Sequence, residues 1–338
     1  MSQTGNQEAA APLIVVDNIK KHYTQSSRLF GLSRSVVKAV DGVSFELAAG
    51  ETLGLVGESG CGKSTTGRAV LYLERPTQGK TWYNGQDLST LSGEDLRQLR
   101  RDMQIVFQDP YSSLNVRMKV REILTEPFHI HDLYSGQQAQ QAKQLLEMVG
   151  LPQASLDKYP HEFSGGQRQR IVIARAIALR PKFVVCDEPV SALDVSVQSQ
   201  IVNLFGQLQK ELNLTYLFIS HDLSVVRHVS DRVGVMYLGK MVELGSKKAI
   251  FQKPLHPYTQ ALMSAIPIPN PKIQRQREKI TLRGELPSPL NPPVGCRFHT
   301  RCPWAEERCR QVEPERREAE PNHWVACHLV DTSKPLTT

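Results

Sequence analysis

The sequence predicts an α/β protein: a mainly parallel sheet covered by helices, preceded by an antiparallel β subdomain, interrupted by an inserted helical subdomain and followed by a loop-rich, cysteine-containing C-terminal extension. Three observations carry that expectation. Short apolar runs at 52–57, 183–188 and 215–222 alternate with helix-compatible segments at 166–180 and 195–212, the pattern of parallel strands joined by crossover helices. The first run ends in a glycine-rich turn that leads directly into helix-compatible STTGRAVLYL, a strand–loop–helix unit. After about residue 250 the composition changes, with Pro254, Pro257, Pro267, Pro269, Pro271, Pro287, Pro289, Pro292 and Pro293 in quick succession, the mark of a linker and loops.

With 338 residues, 40% of them apolar, the chain can bury one large core and a smaller appendage. No run reaches the ~18 apolar residues that a bilayer-spanning helix needs; even 171–179 is broken by Arg175. No membrane pathway within this chain is expected. The opening MSQTGNQEAAAPLIVV lacks a basic region followed by an apolar one, so no secretory signal is expected. A net charge of +7 suits phosphates, an anionic membrane surface or nucleic acid, yet Lys and Arg are spread along the chain and serve mainly as solvated charge.

Taken in order, residues 1–12 read as a disordered start. LIVVD at 13–17 and VSFEL at 43–47 read as strands, with the polar stretch 24–36 as the loop between them. The run at 52–57 then meets Gly57-Glu58-Ser59-Gly60-Cys61-Gly62-Lys63-Ser64-Thr65, which fits G-x-x-x-x-G-K-[ST] of a P-loop NTPase core. Its glycines let successive amides face phosphates, and the helix N-terminus adds its dipole. Lys63 would neutralise the β- and γ-phosphates of ATP and Ser64 would ligate Mg²⁺. An ordinary glycine-rich turn is the bland alternative, disfavoured by the strand before it and the helix after it. Residues 118–164, rich in Gln, Glu, Leu and Ala, read as mostly helical, and the inserted subdomain is placed at about 109–164. Phe183-Val184-Val185-Cys186-Asp187-Glu188 puts two carboxylates at the end of a buried strand, where sheets present ligands. Asp187 would hold Mg²⁺ through water and Glu188 would orient or deprotonate an attacking water. Alone, such a pair caps the following helix about as often.

Further motifs in a fixed order decide the matter. Phe163-Ser164-Gly165-Gly166-Gln167, Gln108 in VFQDP, Ser191-Ala192-Leu193-Asp194 and His221 in FISHD resemble, over residues 13–250, the nucleotide-binding domains of ABC transporters. Phe163 stands where that family more usually has Leu. The resemblance implies that Ser164, Gly165, Gly166 and Gln167 are the signature sequence facing the ATP of an opposite cassette, and that Asp194 belongs to the D-loop. Gln108 is the Q-loop residue and a Mg²⁺ contact, His221 steadies the γ-phosphate, and Tyr23 stacks on adenine. Glu188 and His221 are thus the implied catalytic pair. Two cassettes would close head to tail on ATP and reopen after hydrolysis. No internal repeat is visible, so one cassette is expected.

His256-Pro257-Tyr258-Thr259-Gln260-Ala261-Leu262, Gly284-Glu285-Leu286-Pro287-Ser288-Pro289, Tyr159-Pro160-His161-Glu162-Phe163 and 189–196 resemble the oligopeptide and dipeptide permease ATPases. That implies an ATP-hydrolysing subunit of an importer at the cytoplasmic face of the inner membrane. Its partners would be a second ABC ATPase subunit, two transmembrane permease subunits and an extracytoplasmic peptide-binding protein, with no nucleic acid. Nickel and glycan importers share this ATPase type, so the peptide cargo is an analogy. A nucleic-acid-associated ABC ATPase would usually carry two cassettes or a long coiled-coil or zinc-bearing insertion, and a non-hydrolytic regulator would have lost Glu188.

Residues 13–250 are therefore expected as the nucleotide-binding domain, 251–330 as the extension and 331–338 as a disordered tail. Within the extension Cys296-x5-Cys302-x6-Cys309-x17-Cys327 gathers four soft thiols. A [4Fe–4S] cluster is the expectation, with Zn²⁺ or inert cysteines as alternatives, and a disulfide framework is disfavoured in a reducing cytosol. Cys61 and Cys186 read as small buried hydrophobes.

Overall fold

The computed structural model describes residues 11–26, 34–266, 280–282 and 284–330. Residues 1–10, Pro267, Pro269, Pro271 and the 331–338 tail lie outside the described residues.

Two strands open the chain, β1 (Ile14–Ser26) and β2 (Arg34–Leu47), paired antiparallel from Ile14↔Leu47 to Ser26↔Arg34. Both run well beyond the apolar runs that announce them, so the expected loop at 24–36 shrinks. In β1 the extra length begins with residues 21–24, none of them buried; backbone pairing rather than burial makes it strand. With β4 (Gln78–Tyr83) and β5 (Gln86–Asp87) they form a four-stranded antiparallel sheet in the order β2-β1-β4-β5.

The second sheet has eight strands, in the order β11-β12-β10-β9-β3-β8-β7-β6. These are β3 (Thr52–Val56), β6 (Met103–Val106), β7 (Phe183–Asp187), β8 (Thr215–Ile219), β9 (Arg232–Tyr237), β10 (Lys240–Ser246), β11 (Arg317–Glu320) and β12 (His323–Val325). Strands β3, β7 and β8 are buried at every position, which is why they read as unbroken apolar runs. Parallel pairing joins β6 to β7, β7 to β8, β8 to β3 and β3 to β9, so their carboxyl ends share one edge of the sheet.

The helices in chain order are α1 (Lys63–Val70), α2 (Gly93–Leu99), α3 (Pro110–Ser113), α4 (Val120–Ile130), α5 (Gln138–Met148), α6 (Gly165–Ile177), α7 (Val195–Leu212), α8 (Leu223–Val229), α9 (Lys247–Gln252), α10 (Pro257–Ser264) and α11 (Glu307–Gln311). The inserted lobe, α3 to the start of α6, packs Ile123, Leu124, Phe128, Leu145 and Leu146 into one apolar cluster with β7, α7 and β8. No described helix is long and apolar enough to cross a membrane.

The extension continues the main sheet rather than standing beside it. Strand β12 pairs with β10 through Glu243↔Val325 and Leu244↔Trp324, and β11 pairs with β12. The buried Glu243 carboxylate organises this edge: it accepts the amides of Leu255 (2.8 Å) and His256 (2.9 Å) and meets His323 Nε2 at 2.7 Å. Beyond it Tyr237 meets Tyr258 and Phe298 edge on, while Tyr258 and Phe298 lie tilted on each other, with ring centroids 4.8–5.4 Å apart, so the proline-rich segment does own buried surface, shared with β9.

Candidate nucleotide site

The glycine-rich turn begins where β3 ends. Gly57, Gly60 and Gly62 have φ of +153°, +77° and +102°, conformations that glycine adopts at little steric cost. A Cβ would lie 2.2 Å from the Met236 carbonyl oxygen at Gly57 and 2.1 Å from that of Ala39 at Gly62. Gly62 heads α1 with no side-chain cap. The first-turn amides of Lys63, Ser64 and Thr65 are therefore donors that the helix itself does not use, at its positive end. The buried Lys63 ammonium donates to the carbonyls of Gly57 (2.8 Å) and Glu58 (3.1 Å), so a positive charge lies inside the turn. Cys61 is buried there and burial pushes its thiol up; Cys186 is buried within β7 and raised further by the same cause. Both are the small apolar residues expected.

One loop residue departs from expectation. The Glu58 amide donates to the Tyr258 hydroxyl at 2.8 Å, and both Glu58 carboxylate oxygens receive the Arg301 guanidinium, at 2.7 and 3.1 Å. Glu58 therefore turns its amide toward the extension rather than toward a phosphate. Tyr258 and Arg301 were invisible as site residues in the sequence: Arg301 is one of 41 Lys and Arg residues, and the position of its partner is a property of the fold.

At the ends of β7 and β8 the acidic groups assemble. Ser64 Oγ donates to Asp187 Oδ1 at 2.7 Å. Burial pushes the Asp187 carboxyl above the usual range and Glu188 adds to that, while Ser64 and Arg68 act against it; an Arg68 nitrogen lies 4.0 Å away. Glu188 holds φ +49°, unusual for a residue with a Cβ, and its amide donates to Ile219 O at 3.0 Å. That bend aims its carboxylate so that one oxygen, Oε2, receives Gln108 Nε2 at 3.2 Å and meets His221 Nδ1 at 3.1 Å. Three segments far apart in sequence, 108, 188 and 221, thus meet at one atom.

Tyr23 stands on β1, its hydroxyl bonded to Glu74 and its ring 5.1 Å from Lys21 Nζ. Burial and the Glu74 carboxylate push its phenol up. Arg68 and Glu74, themselves 3.5 Å apart, went unrecognised in the sequence because neither belongs to a motif. The signature residues sit at the head of α6. Ser164 caps it in a reciprocal box with Gln167, Ser164 N to Gln167 Oε1 at 3.0 Å and Gln167 N to Ser164 Oγ at 3.4 Å. A Cβ at Gly165 meets nothing nearer than Leu193 at 3.6 Å, whereas one at Gly166 would strike Val197 at 2.4 Å. Asp194 caps α7, accepting from Val197 N at 3.0 Å, and bonds to Ser196 Oγ and to backbone amides hold its carboxyl below the usual range.

The four late cysteines come close without forming a centre. The Cys296 amide donates to Cys309 O at 2.8 Å. Burial pushes the Cys296 thiol up to about 11 and the Cys327 thiol to about 12, and each is raised further by neighbouring cysteines; Cys302 is raised by burial and by Cys309. Among the described residues, however, no three His, Cys, Asp or Glu side chains are drawn together as metal ligands. The expected ligand set is therefore not assembled among the described residues.

A phosphate turn on a helix head, with a serine of that helix bonded to the first of two carboxylates at the end of a core strand, defines a P-loop nucleoside triphosphatase. Known proteins carry the assignment further. A family profile described as ABC transporter matches residues 40–191, and one described as oligopeptide/dipeptide transporter, C-terminal region, matches 242–309. The oligopeptide transport ATP-binding protein AppF of Bacillus subtilis is 56% identical over 326 residues, 96% of this chain and 98% of its own. Its namesake OppF of Salmonella typhimurium is 50% identical over 323 residues, 94% and 96% of the two chains. Among solved structures, the dimeric post-hydrolysis state of the ATP-binding cassette MJ0796 bound to ADP and Pi is similar, with a TM-score of 0.61 and 26% identity over 69% of this chain and 98% of that one. So is cbiO1 from Clostridium perfringens, part of the ABC transporter complex cbiONQ, with a TM-score of 0.62 and 26% identity over 72% and 91%. This chain belongs to the ABC transporter ATPases, in the group with the oligopeptide/dipeptide transporter C-terminal region, and is an ATP hydrolase that serves transport.

Proposed function

We propose that the chain powers the import of dipeptides or oligopeptides, working peripherally at the cytoplasmic face of the inner membrane. One of two different ATPase subunits, it would drive two transmembrane permease subunits fed by an extracytoplasmic peptide-binding protein. The named relatives support the peptide cargo and the matched C-terminal region supports the partners. The observation that carries the hydrolytic roles is the meeting of Gln108, Glu188 and His221 at one carboxylate oxygen, beside the Ser64–Asp187 pair.

Residues 57 and 59–65 seat the ATP phosphates, with Lys63 balancing their charge and Tyr23 stacking on the adenine. Ser64 and Asp187 are hard oxygen donors, and the raised Asp187 carboxyl is one that a cation would relieve, so they fit Mg²⁺, with Gln108 as a further contact. That ion would supply charge for the developing phosphate oxygens. Glu188 holds and deprotonates the attacking water, and His221, through its hydrogen bond, fixes the direction of that carboxylate and reaches the γ-phosphate. The Ser164–Gln167 head of α6 faces the ATP of the opposite cassette, with Asp194 at the same interface. Gln108 passes the state of the site to the lobe at 109–164, where the membrane subunits dock. Cys296, Cys302, Cys309 and Cys327 would have to draw closer to hold a [4Fe–4S] cluster or Zn²⁺; the gathering of four free thiols within residues 296–327 supports that reading.

Glu188→Gln tests the catalytic assignment. The variant should bind ATP and trap a closed dimer while hydrolysis falls at least ~100-fold, the loss expected for a general base. The assembled transporter, with the partner's corresponding glutamate also neutralised, is the object to assay, and full turnover there would overturn the role of Glu188.

A further inference from the structure

We propose that Arg301 is a positioning residue for ATP turnover, acting from the C-terminal extension by pairing the Glu58 carboxylate and turning its charge away, so that the phosphate turn receives the triphosphate without an uncompensated negative charge. Glu58 is the second residue of that turn, and its own carbonyl takes the Lys63 ammonium at 3.1 Å. An unpaired carboxylate here would stand next to an incoming triphosphate and repel it. Instead the Arg301 fork binds both carboxylate oxygens, at 2.7 and 3.1 Å, the bidentate geometry that fixes direction as well as charge. The Tyr258 hydroxyl holds the Glu58 amide from the other side at 2.8 Å.

Both clamping residues are themselves anchored. The Arg301 side chain is only 10% exposed, its guanidinium lies 6.0 Å from the Tyr237 ring, and its amide donates to Phe298 O at 3.0 Å. Phe298 and Tyr258 pack on Tyr237 at the end of β9. Arg301 is also the residue before Cys302, so a shift of the cysteine loop moves the guanidinium that faces the phosphate turn. The extension is in this way a wall of the ATP site, although Tyr258 and Arg301 lie 200 and 243 residues from Glu58 along the chain.

The inference rests on the reading of 57–65 as the ATP loop, which Lys63→Ala tests separately by loss of ATP binding. In the full chain assembled with its transporter, Arg301→Ala should raise KM for ATP roughly 10-fold with kcat within about twofold, the sign of lost ground-state binding. Adding Glu58→Gln to Arg301→Ala should recover most of that loss, because a neutral amide leaves no uncompensated charge beside the phosphates. Arg301→Lys, which keeps the charge but not the fork, should fall between and carries the test if the alanine variant does not fold. An unchanged KM in folded Arg301→Ala or Arg301→Lys overturns the proposal. So does a loss that Glu58→Gln fails to recover, since a merely scaffolding arginine would leave the charge of Glu58 irrelevant. If Lys63→Ala binds ATP normally, the ATP-loop reading fails instead.

Discussion

A methyl group at Gly62 would sit 2.1 Å from the Ala39 carbonyl oxygen on a backbone at φ +102°, while one at Gly60, at φ +77°, meets nothing within 4 Å. The two glycines of one motif are thus required for different reasons, close approach at the first and backbone freedom alone at the second. Gly60→Ala should cost about 1 kcal/mol of strain. Gly62→Ala should cost more than about 3 kcal/mol, since strain and collision add, and should abolish ATP binding. Denaturant titration with a nucleotide-binding assay separates them, and equal losses at both positions would contradict the role given to the Ala39 contact. The same scale explains Phe163 in place of the more usual leucine: its ring is buried in the lobe cluster, a packing task that either side chain performs.

At the scale of elements, α10 is started by a histidine whose protonation it cannot tolerate. His256 Nδ1 accepts the Tyr258 amide at 3.0 Å, and burial pushes the imidazole down to about 4, with the nearby Glu243 carboxylate pulling the other way. The unfolded chain has an ordinary histidine value, about 6.5. Because the folded value is the lower one, the stability this residue contributes is complete above pH ~6.5 and is lost as the pH falls toward ~4. By pH 5 the loss amounts to about 2 kcal/mol. His256→Asn keeps a capping side chain without a titrating group, so its denaturation midpoint should change less than the parent's between pH 7 and pH 5. A variant with the parent's full pH dependence would show that other groups carry it.

For the molecule as a whole, a metal held by the four cysteines would tie together three separate pieces of the extension: the turn at 296–302, α11 with Cys309, and Cys327 just past β12. Protein purified without oxygen should be brown and carry about four irons per chain. Cys309→Ser should release the metal and open 284–330 to protease while the phosphate loop, β7 and β8 stay folded in the shared core. One zinc and no iron would keep the site and change its metal; neither metal would remove the site. Tertiary linkage also makes the extension harder to discard than its composition suggests, because β12 is paired to β10 and Glu243 joins both to the loop before α10.

The sequence by itself made the parallel core and the phosphate turn legible and offered Lys63, Ser64, Asp187, Glu188 and His221 as site residues. Buried strands leave unbroken apolar runs, and a phosphate cradle has a fixed local spacing, so both are legible along the chain. Only the tertiary structure decided the length of β1 and β2, whose outer halves are made strand by their pairing with each other. It alone attached the extension to the main sheet, since edge strands as short as β11 and β12 have no pattern to read. It also committed the amide of Glu58 to Tyr258 and its carboxylate to Arg301, an ion pair between residues 243 positions apart, because contact at that separation is fixed by how the sheet and its extension pack and by nothing in the residues between.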